Sequence, residues 1–302
     1  MWFADLLVSA YATEAMTPCF VCKITTPRKF ILNGLWFGPR RARKVIVFVH
    51  GLGSSVFSTK GAEHWADKKT AVLAFNNRGH ETISKLRRLA KNRRGATASQ
   101  GGSAHEIFTD CADDIAGAVA LAKENGAREI ILAGHSTGCQ KSVYYASRRP
   151  DRRIKGLVLL APISDYASTR SFDRGGRLAR ATVYARAMVK KGKAHDLLPL
   201  SVWGEMIDAQ RFLSLYTPES IEEIFCYAHT KVPATLKKVR VPMLVVLAGD
   251  DEFADRPAKQ IGDWLSTQAR RSSVAIVPRV LHGFQGKEKV VARLVKNWLK
   301  GV

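Results

Sequence analysis

A chain of 302 residues that is 46% apolar can bury a sizeable core, and its length suits one α/β domain carrying an insertion. Its five cysteines are odd in number and irregularly spaced, so no disulfide framework is implied, and no apolar run reaches the roughly 18 residues of a membrane span. The net charge of +22 allows weak, salt-sensitive binding to polyanions. The basic residues are nonetheless spread over 40–44, 85–94 and 174–193 without a helix-turn-helix, RRM or zinc-finger pattern, so no specific nucleic-acid partner is expected.

Residues 1–18 are set apart as an N-terminal extension. Its opening, "MWFADLLVSAYATEAM", has no Lys or Arg ahead of its apolar part and makes a poor secretory signal. With unpaired thiols and no membrane segment, a cytoplasmic protein is expected. Cys19 and Cys22 form a CxxC with no second pair to complete a zinc site, and a strand would turn their sulfurs to opposite faces. The surrounding "CFVCKITTPRKFILNGLWFG" reads as an antiparallel hairpin at a sheet edge.

Then come short runs rich in Val, Ile and Leu, each ending in glycine or polar residues: 44–55, 71–80, 129–138, 154–162, 241–252 and 272–284. Such runs predict strands buried on both faces of a parallel sheet. Helical spacing marks 104–126, closed by Gly126, and 139–151, stopped by Pro150, with two more helices at 258–270 and 288–301. Two segments break the alternation. Residues 91–103, "KNRRGATASQGGS", read as a polar, Gly-rich loop, and 163–238 are mostly helical without a buried strand. The fold class is therefore α/β, three-layered, with a mostly parallel sheet. Its core is divided into 19–162 and 239–302 by a helical cap insertion at 163–238.

The chemistry centres on "EIILAGHSTGCQ", residues 129–140. Gly134-His135-Ser136-Thr137-Gly138 fits G-x-S-x-G, and a buried strand precedes it while a helix follows. This is the context of a nucleophile elbow. A serine hydroxyl is a weak nucleophile and needs a base. His282 follows the last strand, and Asp250, Asp251 and Glu252 follow the one before, so all arrive at the carboxyl edge of the sheet in the order Ser, acid, His. Asp251 ranks first as the acid that orients His282, Glu252 second and Asp250 third. The expected oxyanion donors are the backbone N–H groups of Thr137 and of Leu52, in "HGLGSS". That loop lacks the third glycine of a dinucleotide motif. The remaining histidines show no metal-ligand spacing, and neither metal nor cofactor is expected.

Taken in order, "FVHGLGSS", "FNNRGH", "LAGHSTG", "LVLLAP", "LAGDDE" and "LHGF" resemble the α/β-hydrolase superfamily from about residue 19 onward. "GHSTGCQ" followed by "LLPLSVWGEMIDAQRFLSLYTPESIEEIF" resembles one poorly characterised branch, with GHSTG, then Cys or Ser, then Gln. In that branch the acid motif is Asp-Glu-aromatic, matching Asp251-Glu252-Phe253, and some relatives are siderophore-ester hydrolases. Lys141 and Ala254-Asp255 depart from the branch pattern. The resemblance implies a serine esterase acting on a small-molecule ester. Arg211, Ser214 and Tyr216, with His135 beside the serine, are candidate substrate contacts. The competing and preferred role for the first three is to fix the cap onto the core. The other functional readings are a non-catalytic binding protein on the same fold, an amide, thioester or C–C hydrolase, and a polyanion binder.

Overall fold

The computed structural model describes residues 16–90, 95–149, 151–269 and 271–302; most of the N-terminal extension, residues 1–15, therefore lies outside the described residues. The described strands are β1 (Phe20–Thr25), β2 (Phe30–Phe37), β3 (Lys44–Val49), β4 (Thr70–Phe75), β5 (Ser84–Leu89), β6 (Ala96–Gly101), β7 (Glu129–His135), β8 (Ile154–Leu160), β9 (Met243–Ala248) and β10 (Ser272–Val277). They form one sheet in the order β10-β9-β8-β7-β3-β4-β2-β5-β6, with β1 paired to β2. From β10 to β4 every pairing is parallel.

Alternation along each strand builds the layers, because successive side chains leave opposite faces of a sheet. On β3, Val45, Val47 and Val49 pack with α1 (Cys111–Glu124), α2 (Thr137–Arg148) and α7 (Ala258–Gln268). Ile46 and Phe48 pack on the other face with α8 (Glu288–Trp298) and Trp65. At about 1.5–3 kcal/mol per fully buried large apolar side chain, both faces drive folding. The remaining helices, α3 (Asp165–Phe172), α4 (Arg177–Lys190), α5 (Ala209–Tyr216) and α6 (Ala234–Lys237), lie between β8 and β9. There α4 and α5 enclose a small separate core around Phe212, Leu215 and Ala181.

Three expectations change. The β1–β2 hairpin forms, with Cys22 opposite Gly34, but β2 is not an edge: it also pairs with β4 and β5. Residues 96–101, expected in a loop, form β6 and pair antiparallel with β5. Both strands lie largely exposed, so no apolar alternation announced them. The helix expected from residue 104 begins at Cys111 after a short 3-10 turn at Phe108–Asp110. The preceding residues are held elsewhere: the Ala104 carbonyl accepts from Asp208 N–H and the Glu106 carboxylate is buried in ion pairs. Among the described residues no helix is long and apolar enough to cross a membrane.

Candidate active site

Ser136 sits between β7 and α2 with φ 54° and ψ −128°, a left-handed conformation that costs a non-glycine residue on the order of 1–3 kcal/mol. Its N–H donates to Leu160 O at 3.0 Å and its carbonyl accepts from Cys139 N–H at 2.8 Å. Sterics explain the flanking glycines. A Cβ on Gly134 would lie 2.2 Å from Gly138 O, and one on Gly138 would lie 2.1 Å from Val49 O. The turn closes only because helix and strands approach at backbone distance, which leaves the serine projecting at its apex.

His282 lies beyond β10. Its Nδ1 is 2.8 Å from Asp251 Oδ2, with both side chains nearly buried. A carboxylate only accepts, so Nδ1 carries the proton and Nε2 is left as the basic nitrogen. The other oxygen of Asp251 accepts from Phe253 N–H at 3.0 Å, which fixes the carboxylate plane. The three adjacent acids thus occupy different places. Asp251 meets the imidazole, Glu252 Oε2 accepts from the backbone N–H of His282 at 2.7 Å, and Asp250 is exposed.

His135 holds the opposite side of the same residue, its Nε2–H donating to the His282 carbonyl at 2.9 Å. Burial, and next the charge of His282, keep the His135 pKa well below the ordinary histidine value, so this ring stays neutral. The grip of Glu252 and His135 on the backbone of His282 was not visible in the sequence, where both stood only as neighbours of more prominent residues.

Leu52 and Thr137 lie on the same edge, after β3 and at the first position of α2. A helix leaves its first N–H groups without intrahelical acceptors, and among the described residues neither N–H donates to a protein acceptor. His50 stiffens the loop before Leu52. Its Nε2 accepts from Asn77 N–H at 3.2 Å and its Nδ1–H donates to Gly51 O at 2.9 Å. Burial, and then nearby Lys141, lower its pKa to about 3, so it too is neutral.

Ser136, His282, His135, Leu52 and Phe253 share one cavity of about 830 Å³ with Phe172, Trp203 and Tyr216 from the segment between β8 and β9. Arg211 does not line it, which goes against the substrate-contact reading and with the preferred one of holding the cap to the core. Its guanidinium is fully buried, paired with Glu222 and, at 2.9 Å, with Glu106. Ser214 likewise donates to Glu222, at 2.8 Å. Glu106 also meets the fully buried Lys141 of α2 at 2.6 Å. Lys141, a departure from the branch pattern in sequence, is thus matched by a carboxylate that no motif identified. Among the described residues no cluster of His, Cys, Asp and Glu could hold a metal ion.

The architecture is shared with solved structures. Siderophore hydrolase EstB from Aspergillus fumigatus aligns over 95% of this chain and 99% of its own, with a TM-score of 0.64 at 19% identity. Est1E from Butyrivibrio proteoclasticus, with ferulic acid bound, aligns over 93% and 98% (TM-score 0.60, 17% identity). Carboxylesterase CesB from Bacillus subtilis aligns over 94% and 93% (TM-score 0.57, 19% identity). At these identities the likeness establishes the α/β-hydrolase fold. No match was found among curated protein sequences. A family model described as "Protein of unknown function (DUF1749)" matches residues 101–297, more than half of the chain, and the protein belongs to that family.

Proposed function

We propose that the protein is a serine hydrolase that cleaves a small-molecule carboxylic ester through an acyl-enzyme on Ser136. His282 Nε2 removes the proton from Ser136 Oγ as the oxygen attacks the ester carbonyl. The Leu52 and Thr137 N–H groups stabilise the resulting oxyanion. The tetrahedral intermediate collapses, His282 delivers its proton to the departing alcohol, and a water activated by the same histidine releases the acid. Asp251 keeps the imidazole in the required tautomer throughout. No metal or cofactor enters the scheme.

The observation that carries this reading is that a strained Ser136 and an Asp251-held His282 open onto one cavity. The esterase and siderophore-hydrolase titles of structures with the same fold support an ester as the bond cleaved. In this reading residues 163–238 are the cap, inserted in a core of 19–162 and 239–302, and its aromatic side chains shape the acyl or alcohol site. Five free thiols agree with a cytoplasmic setting. A fluorophosphonate probe tests the assignment. It should label the wild type and not Ser136→Ala, and ester turnover should fall by on the order of 10⁶ in kcat. Labelling that persists in the variant rejects Ser136; a folded wild type that takes no label favours a binding protein.

A further inference from the structure

Asp165 opens α3 directly after β8 and lines the cavity that holds Ser136 and His282. Its position is fixed from both sides. Ser164, the N-cap of α3, accepts from Ala167 N–H at 2.9 Å. Gln140, on the helix that follows Ser136, donates Nε2–H to Asp165 Oδ2 at 2.8 Å and to Ile163 O at 3.1 Å. Among the described residues Asp165 Oδ1 has no protein partner. One oxygen is therefore anchored to the nucleophile's own helix, and the other is left for whatever enters the cavity.

The surroundings are acidic. Glu222 and Glu223 approach from the segment after α5, and Arg211 of α5 and His282 across the cavity pull more weakly the other way. Burial first, then those two carboxylates, push Asp165 up to about 8. Glu223, bonded by the Ser164 hydroxyl and within 3.3 Å of His229 Nε2, is itself pushed up to about 7, chiefly by burial. With its pKa pushed up to about 8, Asp165 favours the carboxylic acid form near neutrality. Because Gln140 occupies Oδ2, its proton resides on Oδ1 and is available to donate. A neutral acid kept in this way is a hydrogen-bond donor rather than an anion.

We propose that Asp165 contacts the substrate, donating a hydrogen bond from Oδ1 to a hydroxyl or carbonyl oxygen that flanks the scissile ester, so that the cavity selects oxygen-bearing esters over plain alkyl ones. This rests on the serine-hydrolase reading. The partly apolar cavity supplies bulk affinity, whereas a buried donor left unpaired by the wrong substrate supplies discrimination.

Paired substrates test it: p-nitrophenyl 3-hydroxybutyrate against p-nitrophenyl butyrate for the acyl side, and a glyceryl against a propyl butyrate for the alcohol side. The wild type should favour the hydroxylated member of one pair by about tenfold in kcat/KM, and Asp165→Ala should lose that preference while still cleaving the plain ester. Any pH effect on the chemical steps common to both members of a pair cancels in the ratio. A pH unit or more below 8 Asp165 keeps its proton and the preference is nearly full; it should fall by half near pH 8 and decline further as the carboxylate forms. Asp165→Asn keeps a donor that does not titrate, so its preference should stay level from pH 6 to 9. Equal loss on both members in Asp165→Ala, or no preference in a wild type that cleaves plain esters, overturns the assignment of Asp165 alone. A wild type that cleaves no ester and takes no fluorophosphonate label overturns the serine-hydrolase reading and this proposal with it.

Discussion

The parallel sheet and the helical segment between β8 and β9 keep polar groups from water in opposite ways. In β3, β4, β7, β8 and β9 the backbone is paired in ladders and the side chains are almost all apolar and buried. The helical segment has only a small apolar core of its own, around Phe212. It meets the sheet partly through apolar contact, with Ala167, Ile224, Phe225, Tyr227 and Leu236 joining the core on one face, and partly through buried charge: Lys141 and Arg211 share Glu106, and Arg211 continues to Glu222. The sheet fixes the turn at Ser136 by steric closure, as at Gly134 and Gly138. The helical segment is seated in addition by ion pairs whose geometry must be complete, because each buried charge costs several kcal/mol of lost hydration.

The largest difference is expected on the sheet side, at Asp251. Asp251→Asn keeps the shape but lets the imidazole adopt the wrong tautomer. On the serine-hydrolase reading kcat should fall by about 10⁴-fold with little change in melting temperature. A loss below tenfold, measured as ester turnover near neutral pH, would move the orienting role to another acid.

Next is Glu106, where the contrast between regions can be broken directly. Glu106→Ala leaves Lys141 fully buried, with only Asn77 Oδ1 at 3.4 Å as a remaining partner. Unfolding by urea should show a loss of about 3–5 kcal/mol. Adding Lys141→Met should recover part of it, because an uncharged pair carries no stranded charge; a double variant no more stable than the single would argue against the ion pair as the seat. The pH dependence follows from the same group. Burial raises the Glu106 pKa, but Lys141 and Arg211 outweigh it and hold the carboxyl below its ordinary value of 4.5. Its contribution is complete above that value and is lost as the pH falls through the lower, folded one.

The two regions also differ in how legible they were. Strands buried on both faces leave unbroken runs of Val, Ile and Leu, and the chemistry at their ends falls in short motifs. Ser136, Asp251 and His282 are therefore legible, in order, in the sequence, and the structure brings them to one edge. Pairing across long distances leaves no such trace. Glu106 meets Arg211 across more than a hundred residues, and Gln140 reaches Asp165 from another element. For Arg211 the sequence offers two roles, a substrate contact and the preferred one of fixing the cap, but not the partners Glu106 and Glu222 to which its guanidinium is committed. The β5–β6 hairpin escaped for a different reason: both strands are exposed, so neither face carries an apolar stripe.

The smallest effect separates Glu252 from Asp251, which adjoin in sequence and both touch His282. On the serine-hydrolase reading the imidazole that Asp251 meets changes charge during the reaction, so this interaction strengthens in the transition state. Glu252 meets the backbone N–H, whose charge does not change, so it holds the ground and transition states nearly alike. The side-chain carbonyl of a glutamine can still accept that N–H. Glu252→Gln should therefore cost about tenfold or less in kcat. Any loss should be similar for all substrates, because the imidazole is displaced without its tautomer being altered. Charge at this site also reaches Lys60, on the cavity wall, whose pKa burial lowers and Glu288 and Glu252 partly restore. Glu252→Gln removes one of those carboxylates and should lower the Lys60 pKa further. A kcat loss as large as that of Asp251→Asn would show that holding the backbone of His282 matters as much as fixing its proton.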